Sequence, residues 1–349
     1  MHPSRNLALA LSILLCYSSA VLAQNRDGRI PRIGYVTDTS GPGSFFGFPA
    51  TIGALLAKRD LGESGNPIEI IFEETANQPT RGISAAIKLI DIEKVEGILS
   101  DLTPVSVAIA PRVDAARIPL VYQSPAQSLS SKHNRAFRNF IDYQEGCKKI
   151  AEYWKKGNKR IAVVAPELEF GELCYKGATL AAPGLTEYRY NSGDDPRTAI
   201  SRFVRDGIDT LLIVGVEPDM ISFYQQARIQ KFYPQYGLVN LMSDKVAEIG
   251  GQALKSAVLI DFLDPPLEFL RKITLFNPKI RDYAIAPAAL AYNGVMALAH
   301  SIHACSQGDH ACVEKGLRSA PQAPLLGFAG WLEGVEPYPL RLIPFDQRR

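Results

Sequence analysis

Short β-branched runs alternate with segments of helical period along nearly the whole chain, and this alternation leaves few folds open. Arg32 to Thr37 reads as an apolar strand, Ala50 to Leu61 as a helix, Ile68 to Phe72 as a second strand and Arg81 to Ile92 as a second helix. Gly97 to Leu99 and Ile118 to Tyr122 read as strands on either side of a helix over Val105 to Ala116. The pattern resumes with strands at Arg160 to Ala165, Thr186 to Tyr190 and Thr210 to Gly215. Helices are expected at Glu172 to Leu180, Thr198 to Arg205 and Met220 to Gln230. Apolar runs this short, set between helices, suit parallel strands buried on both faces. Repeated βα units predict doubly wound sheets with helices on both sides. They fall into two blocks, about 30–141 and about 142–261. A helical stretch follows, with Leu267 to Phe276 and a long helix from Ala286 to about His303, and then a Pro- and Gly-rich tail from Pro321.

The first 23 residues read as an export signal. Arg5 supplies the positive charge, Leu7 to Leu15 the apolar run, and Val21-Leu-Ala23 the compact residues of a cleavage site. No second apolar run of that kind is expected, so the reading is a mature protein released to the periplasm. Cys16 lies in the leader and leaves four cysteines, an even number in an oxidising compartment. Of the three possible pairings we expect Cys147 with Cys174, which bracket one strand, and Cys305 with Cys312, which flank a turn-like Ser-Gln-Gly-Asp. A net charge of +2 over 349 residues offers no argument for nucleic acid as a partner.

Three constellations carry possible chemistry. Ser40-Gly-Pro-Gly-Ser-Phe-Phe-Gly47 follows the first strand, and Glu73-Glu74 closes the second, a loose likeness to a dinucleotide fingerprint. Its spacing departs from G-x-G-x-x-G and Pro42 interrupts it, so a loop lining a cleft is the expectation and no cofactor is. His300, His303, Cys305, His310 and Cys312 offer metal-ligand chemistry, set against a helix end closed by a local disulfide. No nucleophile elbow is present, and no serine is placed beside His133 or the later histidines, so the chain is not read as an enzyme.

Several segments together resemble one family. These are the opening strand with Ser40-Gly-Pro42, Asn77-Gln-Pro79, Gly97-Ile-Leu-Ser-Asp-Leu-Thr103, Ile118-Pro-Leu-Val121, Glu169-Phe-Gly171 and Ala289-Leu-Ala-Tyr-Asn293. In order and spacing the chain resembles the branched-chain amino-acid-binding type of periplasmic solute-binding protein that serves ABC importers. The resemblance implies two Rossmann-like lobes with parallel-rich sheets, joined by a three-crossover hinge. Lobe one would be 30–141 plus 262–327, and lobe two 142–261 plus 328–349. It implies a monomer that captures a small organic solute between the lobes and delivers it to an ABC permease. The same fold could instead serve a sensor that passes occupancy to a signalling partner.

By the same resemblance, a ligand carboxylate would meet Thr103 and the backbone at Ser124 and Ala126, while Asp244 would meet an ammonium. Phe46, Phe170 and Val216 fall where the family often carries tyrosines. An amino acid is therefore one expected ligand, and a less polar organic acid, amide or aromatic compound the other.

Overall fold

The computed structural model describes residues 30–239, 244–319, 321, 325–332 and 336–347; the leader expected over 1–23 lies outside them. Two sheets organise the chain. The first unit runs β1 (Arg32–Thr37), α1 (Ser44–Glu63), β2 (Glu69–Glu74), α2 (Pro79–Ile87), β3 (Gly97–Asp101), α3 (Thr103–Ala115), β4 (Leu120–Gln123), α4 (Gln127–Lys132) and β5 (Ala136–Arg138). All five strands are parallel, in the order β2-β1-β3-β4-β5. The second unit runs α5 (Tyr143–Lys155), β6 (Ile161–Pro166), α6 (Glu169–Ala181), β7 (Thr186–Tyr190), α7 (Arg197–Arg205), β8 (Thr210–Ile213), α8 (Glu217–Ile229), β9 (Gln235–Val239), α9 (Asp244–Gly250) and β10 (Val258–Asp261). Then come α10 (Leu267–Phe276), α11 (Asp282–His303), α12 (His310–Leu317) and β11 (Arg341–Pro344). The second sheet has the order β11-β10-β9-β8-β6-β7, with β11 antiparallel at its edge. The chain is an α/β protein of two lobes with parallel-rich sheets, as the alternation predicts.

Side chains of period two explain the layers. Along β6, Ile161, Val163 and Ala165 face one core while Ala162 and Val164 face another. Along the first sheet, Tyr35 and Leu99 join α1 and α11 on one side; Val36 and Ile98 join α2 and α3 on the other. Residues from both lobes contribute to one large core that crosses the junction.

The burial of α11 bears on the expectation of no second apolar span. Among the described residues α11 is the one helix long and apolar enough to cross a membrane by length and composition. It is instead a core helix, with 72% of its apolar window buried inside the protein, packed on α1 and the first sheet. The approach is close enough that a Cβ on Gly53 would lie 1.8 Å from the Ala288 carbonyl oxygen. Gly53→Ala is therefore expected to cost about 2 kcal/mol or more, despite alanine's better helix propensity, because backbone must move. Urea unfolding checks this; an unchanged or raised midpoint would show that the two helices can part at no cost.

Two helices start earlier than their periodicity predicts. α1 begins at Ser44 rather than Ala50, and α6 at Glu169 rather than Glu172. The second half of the Ser40 to Gly47 segment, expected as a loop, is thus the first turn of a helix, while Ser40 to Gly43 remain a loop. The sequence pattern announces neither β5 nor the edge strand β11; both are short and draw their stability from the neighbour they pair with.

Both disulfides pair as expected, Cys147 with Cys174 across α5 and α6, and Cys305 with Cys312 between the end of α11 and α12. The second bond consumes both thiols of the histidine–cysteine cluster. His300 Nδ1 lies 2.7 Å from the Met296 carbonyl and His303 Nε2 3.2 Å from that of Asn66. Among the described residues no three His, Cys, Asp or Glu side chains gather as metal ligands.

Candidate functional site

In open α/β sheets, ligands bind beyond the carboxyl ends of the strands. In the first lobe those ends are built on an unusual set of buried polar groups. Asp101 closes β3 and is 2% exposed. Its carboxylate accepts from the Tyr35 hydroxyl at 2.9 and 3.0 Å and from Thr37 Oγ1 at 2.6 Å. Burial pushes its pKa to about 7; the Thr37 and Tyr35 hydroxyls oppose the rise and the Asp38 charge adds to it. Gln123, at the end of β4, donates to Tyr35 Oη, and its own Oε1 has no partner among the described residues.

The loop after β1 is fixed by carboxylates. Asp38 accepts from Gly41 N–H at 2.5 Å and from Gly43 N–H at 2.7 Å. The glycine amides that a pyrophosphate would need are thereby occupied from within, which gives a physical reason for setting the dinucleotide reading aside. Glu74, placed where a ribose-binding acid would stand, accepts from Thr39 N–H, Thr39 Oγ1 and Ala76 N–H. Partial burial raises its pKa, but these donors outweigh it and hold the carboxyl below its ordinary value.

Thr103 is the first residue of α3. Leu102 holds the N-cap position with φ 62° and ψ 146°, a conformation costing on the order of 1–3 kcal/mol for a side chain of this kind. Thr103 therefore does not cap the helix, and its hydroxyl makes no hydrogen bond among the described residues. Ser124 and Ala126 lie just beyond β4 and are each 1% exposed. The Ala126 N–H points to Ser124 Oγ at 3.4 Å, a weak bond, and the Ala126 carbonyl accepts from the Tyr122 hydroxyl.

Phe46 lies inside the protein rather than on an open surface. It is 1% exposed, inside α1, with its ring 6.2 Å from that of Phe140. Phe170 is half-buried in the first turn of α6, edge-on to Tyr143 at 6.0 Å. Burial raises the Tyr143 hydroxyl's pKa, so it stays a neutral donor. Val216 is the exposed N-cap of α8. Asp244 opens α9, and its side chain lies outside the described residues. An ion pair from Lys245 to Glu217 at 3.7 Å brings the start of α9 beside that of α8 and so beside Val216.

The junction between the lobes is aromatic and amide-rich. Phe140 stacks edge-on to Phe262, and Phe262 to Tyr338. Tyr338 Oη donates to Asn139, while Asn293 donates to Tyr338 Oη and to the Leu325 carbonyl. The Ala289-Leu-Ala-Tyr-Asn293 signature is thus structural, since Asn293 ties α11 to the returning chain and Tyr292 donates to Asp60. Beside it a groove of about 530 Å³ runs past Gln127, Arg138, Asp142 and Trp331, but its Arg138 is already paired with Asp142 and Glu336.

The match of residues 31–332 to the sequence profile described as periplasmic binding protein decides the family. The chain belongs to the periplasmic binding proteins. Solved structures similar to it include a leucine-binding protein from Thermotoga maritima, with a TM-score of 0.74 at 20% identity over 91% of this chain and 99% of that one. A type 1 periplasmic binding protein from Bordetella pertussis gives 0.78 at 15% identity, covering 91% and 100%. An ABC-transporter solute-binding protein from R. palustris, in complex with 4-hydroxybenzoate, gives 0.71 at 17% identity, covering 83% and 85%. At these identities the likeness is one of fold. No curated protein matches the chain. Among these similar structures are ABC-transporter substrate-binding proteins for isoleucine, 4-hydroxybenzoate and fatty acid.

Sequence reasoning did not single out four polar residues at or near the strand ends: Asp38, Asp101, Ser128 and Glu169. Asp38 had a signal, an Asx side chain three and five residues before glycines in a turn. Asp101 stood inside a quoted motif but gave no sign that strand pairing would bury it.

Proposed function

We propose that this binding protein is exported, takes a small organic solute between its lobes and delivers it to an ABC permease. The observation that carries the reading is the family match, supported by the set of buried polar groups at the strand ends of the first lobe. The Thr103 hydroxyl and the amides around Ser124 and Ala126 would take a carboxylate or carbonyl. Phe170 and Val216 would cover an apolar body, and Asp244 would meet an ammonium where the solute has one. Relatives of this fold include a leucine-binding protein and one holding 4-hydroxybenzoate, which bracket the two ligand classes expected here. The phenyl ring in place of a tyrosine at 170 favours the less polar class, because it offers area without a hydroxyl. Export through the leader and a monomeric state belong to the same proposal.

The test is a melting-temperature screen of refolded, ligand-stripped protein against aliphatic amino acids, aromatic acids and amides, since a native-state ligand raises apparent stability by mass action. For a carboxylate that shifts the midpoint, Thr103→Ala should weaken affinity about tenfold or more, the scale of a hydrogen bond to a charged group. Phe170→Ala should weaken aromatic ligands most. Unchanged affinity in both variants, measured by calorimetry, would sink the site assignment; no shift with any compound would sink the small-solute reading.

A further inference from the structure

We propose that Glu169 and Ser128 form a latch that holds the two lobes together across the cleft while no solute is bound. The inference rests on the cleft reading above. Ser128 stands in the first turn of α4, which follows β4 of the first sheet. Glu169 opens α6, which follows β6 of the second sheet. One carboxylate oxygen of Glu169 accepts the Ser128 backbone N–H at 2.7 Å, and the other accepts Ser128 Oγ at 2.6 Å. Both partners are half-buried, so water competes with the pair less than at an open surface.

A carboxylate gripped by a backbone N–H and a hydroxyl is a charge-assisted pair, roughly twice as strong as its neutral counterpart. The backbone amide belongs to a helix three residues beyond β4, so the bond ties main chain of one lobe to a side chain of the other rather than two flexible side chains. Nearby, Gln127 Nε2 donates to Asp142 at 2.6 Å, but Asp142 caps α5 at the crossover itself. That contact is at the hinge, where opening moves it little. The Glu169 pair lies beyond it, at the strand ends.

The latch also lies next to the proposed binding edge. Ser124 and Ala126 are 1% exposed in this arrangement, two to four residues before Ser128. Ala126 is packed in the core of its own lobe with Tyr122 and Leu129, so the latch sits beside this segment rather than supplying its burial. The latch carboxylate is chemically the same group as the head of an organic acid, so such a solute would meet donors of the kind Glu169 already occupies.

The experiment uses the full mature chain, ligand-stripped, and no solute. Small-angle scattering gives the radius of gyration, and hydrogen exchange gives protection of the Ser128 amide. Wild type is expected to be compact with a protected Ser128 amide. Glu169→Ala and Ser128→Ala should both increase the radius of gyration, and Glu169→Ala should speed exchange at Ser128 as well. Glu169→Gln, which keeps one acceptor and loses the charge, should fall between. Ser128→Ala keeps the backbone N–H donor and should open less than Glu169→Ala, and the double variant should open no further than Glu169→Ala. Equal radii in wild type and both folded alanine variants would overturn the latch. Faster exchange at an unchanged radius would overturn it too, because the bond would then hold nothing. Two variants on opposite lobes guard against one failing to fold, and circular dichroism reports that. Because no solute enters either measurement, failure of the ligand screen and failure of the latch are separate results.

Discussion

Asp101→Asn is expected to stabilise the protein at pH 8 by on the order of 4 kcal/mol and to change it little at pH 4. The carboxyl is 2% exposed and is held by two hydroxyl donors, Tyr35 and Thr37. Burial raises its pKa from the ordinary 3.8 to about 7. The folded state therefore binds this proton more tightly than the unfolded chain. The favourable contribution is complete below pH about 4 and is lost as pH rises through about 7. Above that, folding must bury a charge, and each tenfold gain in proton affinity adds about 1.4 kcal/mol to the cost. Asparagine reproduces the neutral form at every pH. Urea midpoints of wild type and variant should coincide near pH 4 and diverge steadily up to pH 8; parallel curves would show that Asp101 ionises in the fold as it does in water. Such a group is tolerated where stability is exchanged for a prepared polar floor, and it lies two residues before Thr103.

Removing the Cys147–Cys174 bond with paired alanines is expected to destabilise the second lobe more than removing Cys305–Cys312. The sequence separations are 27 and 7. Loop-closure entropy then gives about 3.5 kcal/mol for the first and about 2.4 kcal/mol for the second. Location widens the gap. Cys147 and Cys174 are fully buried between α5 and α6, where a Cβ on Gly177 would already come within 1.9 Å of the Gln144 carbonyl oxygen. A fall of roughly 10 °C in the melting midpoint is expected for the first pair, on the scale of a domain this size. A smaller fall than for the Cys305–Cys312 pair would show that the helix contact, not the cross-link, holds this corner.

The two-lobed α/β fold was legible because its evidence is local. Buried parallel strands must be short apolar runs and the helices between them must carry an apolar stripe, so composition and period alone mark β6 or α7. The disulfides were legible for the same reason, since one pair flanks a turn and the other brackets a strand. What the sequence could not carry was where faces point once distant strands pair. The sequence places Phe46 in a loop, yet the helix around it starts six residues earlier than expected and packs its ring against Phe140. Asp101 reads as one polar letter in a loop motif, yet pairing of β3 with β1 and β4 removes it from water. Ser128 and Glu169 lie 41 residues apart and carry no shared pattern; only the approach of two sheets makes them partners. Periodicity is a property of neighbours along the chain and survives in the sequence. Burial of a charge and a bond between lobes are properties of the packed whole, and they exist only after folding has brought the parts together.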